Sequence, residues 1–350
     1  MTFQILHRVL TLGLCLGALG STASAQTAPD LKGQKLTASD FGGALQKSFR
    51  EGWAQPFEKA TGAKVTFDSP VNYSKIKAQV ESGNVTWDVA QADASFIQKN
   101  CGVLFEKIDT KKVAAAGIDA RFLTNECGIP SPVGSYVFAY NSEKFAVSPP
   151  TSWADFFDLK KFPGKRAIYN SVLTGILEIA LLADGVPAAS LYPLDIDRAL
   201  RKLDSIKANI TWTQSTGALT EAFVNNQVDL ALSFSGRTYT AAKSGAKVAV
   251  VYPQQIYFWD NWAVLKGSKN KTAAEAYLQY IAEPAQQGRL TELSAYGNAN
   301  TKVSPSVDPL VAEFLPSNPK VKPTAIYQDI AWWAQNYDSA NQRFVAWQSK

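Results

Sequence analysis

Residues 36–65, LTASDFGGALQKSFREGWAQPFEKATGAKV, decide the fold class of this 350-residue chain. Lys35 to Ser39 reads as a strand, and Gly42-Gly43 then permits a tight turn. Leu45, Phe49, Trp53 and Phe57 follow at a spacing of four, which sets them on one face of a helix from about Ala44 to Ala60. Gly62 stands just past that helix as a stop signal, and Pro56 is placed to bend its last turns. The alternation of Ala63 to Asp68 predicts a second strand. Strand, helix and strand in direct succession is the rhythm of a parallel α/β sheet.

Outward from this unit the rhythm continues. Tyr73 to Glu81 predicts a helix, Trp87 to Ala92 a strand, and a further helix runs from Ala94 into Cys101 with Asp93 at its N-cap. Gly134 to Asn141 reads as a long strand able to leave one lobe for another. Trp153 to Phe157, Ile176 to Ala183 and Asp195 to Ile206 read as helices, and Val228 to Phe234 and Lys247 to Tyr252 as strands. Trp259 to Leu265 is a second candidate crossing strand, followed by a helix at Thr272 to Ile281. The tail, with Trp332, Trp333, Phe344 and Trp347, predicts a helix with an aromatic packing face. Two crossings between two α/β lobes imply a hinge over a cleft, and ligands of open α/β sheets bind beyond the carboxyl ends of the strands. The expected division is 27–139 with 263–310 in lobe 1, and 140–262 with 311–350 in lobe 2.

The first residues point outside the cytoplasm. Arg8, the apolar run Val9 to Gly20 and the small residues Ser21 to Ala25 form the three regions of a secretory signal peptide, residues 1–25, cleaved after Ala25. Its apolar run is shorter than the roughly 20 residues a membrane-spanning helix needs. Removing it takes away the single histidine, His7, and the single methionine, Met1. Cys101 and Cys127 remain, and in an oxidising compartment such a pair most simply forms a disulfide, with two free thiols as the other reading. The cross-link is expected to add about 3 kcal/mol. Lys and Arg number 35 against 30 acids, interspersed and without a basic run, so nothing points to nucleic acid. The expectation is a monomeric two-lobed protein in the periplasm.

In LTASDFGGALQKSFREGWAQPFEKATGAKV, GNVTWDVAQAD from Gly83, SWADFFDLKKFPGKR from Ser152 and FWDNWAV from Phe258, the chain resembles the bacterial extracellular solute-binding proteins of the spermidine/putrescine-binding group. The resemblance implies the two-lobed type II periplasmic-binding fold, with no catalysis and no cofactor. It also implies delivery of a small amine-bearing solute to an ABC permease in the inner membrane. In that group an aspartate pairs with the substrate ammonium and rings box its carbon chain. The matching residues are Asp260, with Phe258 and Trp259 beside it. A desolvated ammonium needs a carboxylate, and aromatic faces add cation–π attraction. Tyr296, in SAYGNAN, matches the tyrosine the group places at the cleft, or is an ordinary buried tyrosine. Phe41 and Gly42 occupy the loop where the group offers an aromatic or backbone contact.

The chain departs from the polyamine pattern in the second lobe. The positions where polyamine binders carry further acids fall on Ser171, Val172 and Gly175, and Glu178 nearby is on a helix that would point it elsewhere. SFSGRTY instead offers Arg237 after an apolar strand, and arginine suits bidentate capture of a carboxylate. Arginine and aspartate in this spacing resemble the members of the group that bind 4-aminobutanoate, and putrescine or spermidine is the alternative. Arg237 is either a ligand contact or a structural ion pair with Asp260. Trp212, Ser215 and Thr216 precede a helix whose N–H groups can meet an anion or need only capping. Ser135 and Tyr136 line the cleft or pack the hinge. Two rival classes are weaker. A hydrolase would lack histidine and a free thiol, leaving only a carboxylate pair for glycoside chemistry. A ferric-ion binder of similar fold would use adjacent tyrosines, which do not stand out. No metal site is expected.

Overall fold

The computed structural model describes residues 29–350, so the expected signal peptide lies outside the described residues. The opening segment folds as β1 (Lys35–Ser39), a helix, and β2 (Lys64–Phe67), with β1 and β2 parallel. The helix is one interrupted body. Gly43–Phe49 and Gln55–Thr61 are α-helical, and Arg50–Ala54 forms a π turn ahead of Pro56, whose missing N–H cannot serve the preceding turn. Gly62 closes it in the left-handed conformation, φ 75°. The stripe spaced by four is buried: Phe49 stacks on Trp53 at 4.9 Å and meets Trp262 edge-on at 5.1 Å.

The remaining strands are β3 (Val89–Asp93), β4 (Gly128–Asn141), β5 (Arg166–Tyr169), β6 (Ile210–Thr213), β7 (Leu230–Phe234), β8 (Val248–Val264) and the short β9 (Ile326–Tyr327). Their order across the sheet is β2-β1-β3-β8-β4-β7-β5-β6, with β9 on β8. Two long antiparallel strands, β4 and β8, run through the middle and serve both halves. The Asn261–Ala263 end of β8 lies beside Gly128–Pro130 and is flanked by β3. At the other end, Val248–Val251 lies beside Phe138–Asn141, which β7 flanks. β5 is parallel to β7 and β6. Each half is therefore an α/β sheet of its own, joined through two continuous strands.

The two stretches Lys247 to Tyr252 and Trp259 to Leu265, expected as separate strands, are one. The polar interval Pro253-Gln254-Gln255 hides this in the sequence, and the strand passes it with Gln254 at φ 60° and a register shift opposite Tyr136/Phe138. β4 begins earlier than expected, at Gly128; Pro132, which cannot donate to a ladder, sits at a second irregularity between Pro130 and Val133 and hides the early part in the sequence. β5 and β6 were not anticipated. They are four residues each, too short to show a period.

In the second half, Arg166 is fully buried and spends its fork on backbone carbonyls of Phe156, Phe162 and Gly164 at 3.1, 2.5 and 2.6 Å. The C-terminal helix Ile330–Gln348 has the expected aromatic face: Trp333, Phe344 and Trp347 are buried and Trp332 half-buried. Trp333 Nε1 donates to Glu178 at 2.8 Å and Trp347 Nε1 to Asp204 at 2.7 Å, which fastens the helix to the second half. It also reaches the helix Ala94–Asn100 of the first half, through Lys99–Asp338 at 2.5 Å. Cys101 and Cys127 are joined in a disulfide.

Candidate functional site

Where the two halves face one another, a cavity of about 500 Å³ opens. The first half supplies Phe41, Leu45, Tyr73 and Asp93, the second Tyr169, Thr174, Ser215 and Arg237, and the long strands Tyr136, Phe258 and Asp260. Strand alternation decides which residues enter. On β8, Phe258 and Asp260 point into the cavity, while Trp259 between them faces the other way and packs edge-on against Phe122 at 5.2 Å. On β4 the same period brings Tyr136 in and turns the buried Ser135 out.

Two glycines let the aromatic wall lie close. Gly134 is opposite Phe258 in the ladder, and a Cβ there would come within 2.4 Å of the ring. The Phe258 ring thus stacks on Tyr136 at 4.4 Å, and Phe234 meets it edge-on at 5.7 Å. Gly236 does the same for Tyr296, whose ring is 2.1 Å from where a Cβ would sit. Tyr296 lies between opposite charges. Burial pushes its hydroxyl up to about 12, with Arg237 drawing the value down and Asp260 raising it.

The acidic end holds two carboxylates. Asp260 and Asp93 are register partners on β8 and β3. Asp260 is 7% exposed, and its Oδ2 accepts from Gln91 Nε2 at 2.7 Å. Asp93 Oδ2 accepts from the Tyr73 hydroxyl, which in turn accepts the Asp93 backbone N–H at 2.9 Å. Burial, and then the charge of Asp93, hold Asp260 well above the usual carboxylate range. Burial also raises Asp93, against the hydrogen bond from Tyr73.

The basic end is Arg237. It sits in the first turn of the helix Ser235–Lys243 rather than at the strand end, and it is 7% exposed. Its guanidinium reaches the loop of the first half, where a Cβ on Gly43 would sit 3.3 Å from Nη1. Among the described residues no carboxylate lies within 4.0 Å of it, so the ion pair with Asp260 is not formed. Asp40, behind that loop, is fully buried. Its Oδ1 accepts from Ser69 Oγ, Gly42 N and Gln46 Nε2 at 2.6, 2.7 and 3.1 Å. Burial raises Asp40, while Arg237 among others pulls it down.

Of the residues singled out in the sequence, the cavity brings together Asp260, Arg237, Phe258, Tyr296, Phe41 and Tyr136. It does not include Trp259, Ser135, Gly42 or Trp212. Gly42 gives its N–H to Asp40, and Trp212 packs against Phe344 and Trp347 at 5.7 and 6.3 Å, while Gln214, Ser215 and Thr216 beyond it face the cavity. Ser215 also caps the following helix through the Ala218 N–H at 3.0 Å. Glu178 points elsewhere, accepting from Tyr192, Trp333 and Gln328 at 2.7, 2.8 and 3.3 Å. Asp93, read from the sequence as a helix cap, also lines the cavity. It precedes the helix Ala94–Asn100 but makes no side-chain cap, and its spacing of two from Gln91 was the available signal for a shared face with Asp260.

A cleft between two α/β halves joined by two long strands, and lined by two carboxyl groups as well as a guanidinium, suits a small polar solute. Residues 52–323 match the family of bacterial extracellular solute-binding proteins, and the chain belongs to that family. It is 34% identical over 347 residues to the gamma-aminobutyric acid-binding protein of Pseudomonas aeruginosa, covering 96% of each chain. A solved GABA receptor is 35% identical, covers 91% of this chain and 98% of its own, and superposes with a TM-score of 0.82. The spermidine/putrescine-binding periplasmic protein of Escherichia coli is more distant, 22% identical over 75% of this chain and 77% of its own. The family's members are extracellular or periplasmic transport proteins. Among the described residues no helix is long and apolar enough to cross a membrane. Nor does a group of three or more His, Cys, Asp or Glu side chains gather there at metal-binding spacing.

Proposed function

We propose that this protein captures a zwitterionic ω-amino acid, 4-aminobutanoate foremost, and presents it to the permease of an ABC importer. The observation that carries the reading is that one cavity is lined both by the carboxyl groups of Asp260 and Asp93, partners across adjacent strands, and by Arg237, which among the described residues has no carboxylate within 4.0 Å. A buried charge is costly unless a partner meets it. A ligand with an ammonium and a carboxylate at opposite ends meets both, and the rings of Tyr136, Phe258 and Tyr296 cover the methylenes between. A diamine fits less well. Both acids stand side by side on adjacent strands, so they serve one cationic end, and a second ammonium would face Arg237.

Because the two halves each supply cavity residues, a ligand bound to both favours their closed arrangement, the state a permease would receive. On this reading the lobes are about 27–139 with 263–310, and 140–262 with 311–350, the first two changeovers falling within the long strands β4 and β8 that the halves share. The chain after residue 25 is exported to the periplasm, performs no catalysis and works as a monomer. Calorimetry on the chain from Gln26, with 4-aminobutanoate, putrescine, butanoate and butylamine, tests the assignment. 4-Aminobutanoate is expected to bind most tightly. Putrescine binding more tightly than 4-aminobutanoate would overturn the reading.

A further inference from the structure

Two carboxylates for one ammonium is more than charge balance requires. Their geometry says what the second one is for. Asp93 and Asp260 face each other across the β3–β8 ladder, and each has one oxygen already engaged: Asp93 Oδ2 by the Tyr73 hydroxyl, Asp260 Oδ2 by Gln91 at 2.7 Å. Among the described residues neither Oδ1 receives a donor, and both side chains line the cavity. Tyr73 is itself held by stacking on Phe96 at 4.0 Å, so Asp93 is positioned from behind. The site thus offers a cation two fixed acceptors at an angle.

Resting on the ω-amino acid reading, we propose that Asp93 is a specificity-determining residue: with Asp260 it forms a two-acceptor clamp that admits cations carrying N–H donors and turns away quaternary ammonium. A primary ammonium has three N–H groups and gives one to each carboxylate. A trimethylammonium has none, and its methyl groups hold both buried oxygens away from any donor, leaving them unsatisfied. The rings of Tyr136, Phe258 and Tyr296 alone would argue the other way, because aromatic walls are the usual receptor for quaternary ions. The carboxylate pair decides between the two.

The test is calorimetry with 4-aminobutanoate and 4-(trimethylammonio)butanoate on wild-type protein, Asp93→Asn, Asp260→Asn and, as a gentler change, Tyr73→Phe, each checked by thermal melting. Wild type is expected to prefer the primary amine by about 100-fold or more. Asp93→Asn should cut that preference to about 10-fold or less, with Tyr73→Phe in between. The inference is overturned if Asp93→Asn keeps the full preference, or if wild type binds both ligands equally. The function itself is contradicted by a different result, namely wild type binding neither ligand or Asp260→Asn binding 4-aminobutanoate as wild type does.

Discussion

Replacing Arg237 with methionine keeps most of the side chain's length and volume and removes the charge. In the empty protein this costs little, because the guanidinium is 7% exposed and pairs with no carboxylate among the described residues. The melting temperature of the free variant should stay level or rise. With 4-aminobutanoate bound, the ligand carboxylate loses its partner inside a closed cavity. Removing one side of a buried, hydrogen-bonded charge pair costs about 2–5 kcal/mol, so Kd should rise by roughly 30- to 5000-fold. Butylamine, which has the ammonium and no carboxylate, supplies the other half of a cycle. It should bind the variant at least as well as wild type, because no buried guanidinium is left uncompensated. The coupling energy from four calorimetric titrations isolates the Arg237–carboxylate interaction. Equal loss for both ligands, giving a coupling near zero, would refute the carboxylate role of Arg237.

Gly236→Ala places a methyl group 2.1 Å from the Tyr296 ring, which must shift. Overpacking of that kind costs about 1–3 kcal/mol against roughly 1 kcal/mol gained in helix propensity, so stability falls slightly and 4-aminobutanoate affinity falls with it. Gly217→Ala, whose nearest neighbour is Ser215 Oγ at 3.6 Å, is the control and should stabilise without loss of affinity; unchanged affinity in Gly236→Ala would contradict the placement of Tyr296. Acidity should act in two opposed ways. Burial raises Asp260, Asp93, Asp40 and Glu178, so the folded empty protein holds protons the unfolded chain releases, and its stability is lost as pH rises through those folded values. The empty protein therefore gains stability as pH falls from neutrality to about 4, while the melting shift given by 4-aminobutanoate shrinks because the ammonium needs ionised carboxylates. The hydrogen bonds that hold Asp68, Asp119 and Asp184 low, foremost from Trp87, Arg121 and Arg198, oppose this as pH falls through and below the ordinary aspartate range near about 4. A ligand-induced shift that grows on acidification would contradict the charge assignment.

Much of the architecture is legible in the sequence because its signals are local. The apolar stripe at 45, 49, 53 and 57 and the stop at Gly62 are enough to place one α/β unit, and the apolar run ending in Asn141 marks a crossing strand. What escaped is nonlocal or short. The unity of β8 depends on a left-handed Gln254 absorbing a polar interval, RAIY becomes a strand only because β7 offers it an edge, and ITWT because RAIY then offers one in turn. At the site, it was the family resemblance that pointed to Asp260 and Arg237 and to part of the ring wall, all of which line the cavity. Trp259, Ser135 and Trp212, singled out by proximity in sequence, do not line the cavity, as a strict period of two along each strand explains for Trp259 and Ser135. Asp93 was read as a cap because its neighbour in space, 167 residues away on β8, has no trace in its own segment.

A crystal structure of the chain from Gln26 with 4-aminobutanoate tests the central claim most directly. The ligand nitrogen should lie about 2.7–3.1 Å from an oxygen of Asp260, with the ligand carboxylate on the Arg237 guanidinium. A nitrogen out of hydrogen-bond reach of Asp260, or a ligand lying the other way round, would contradict it.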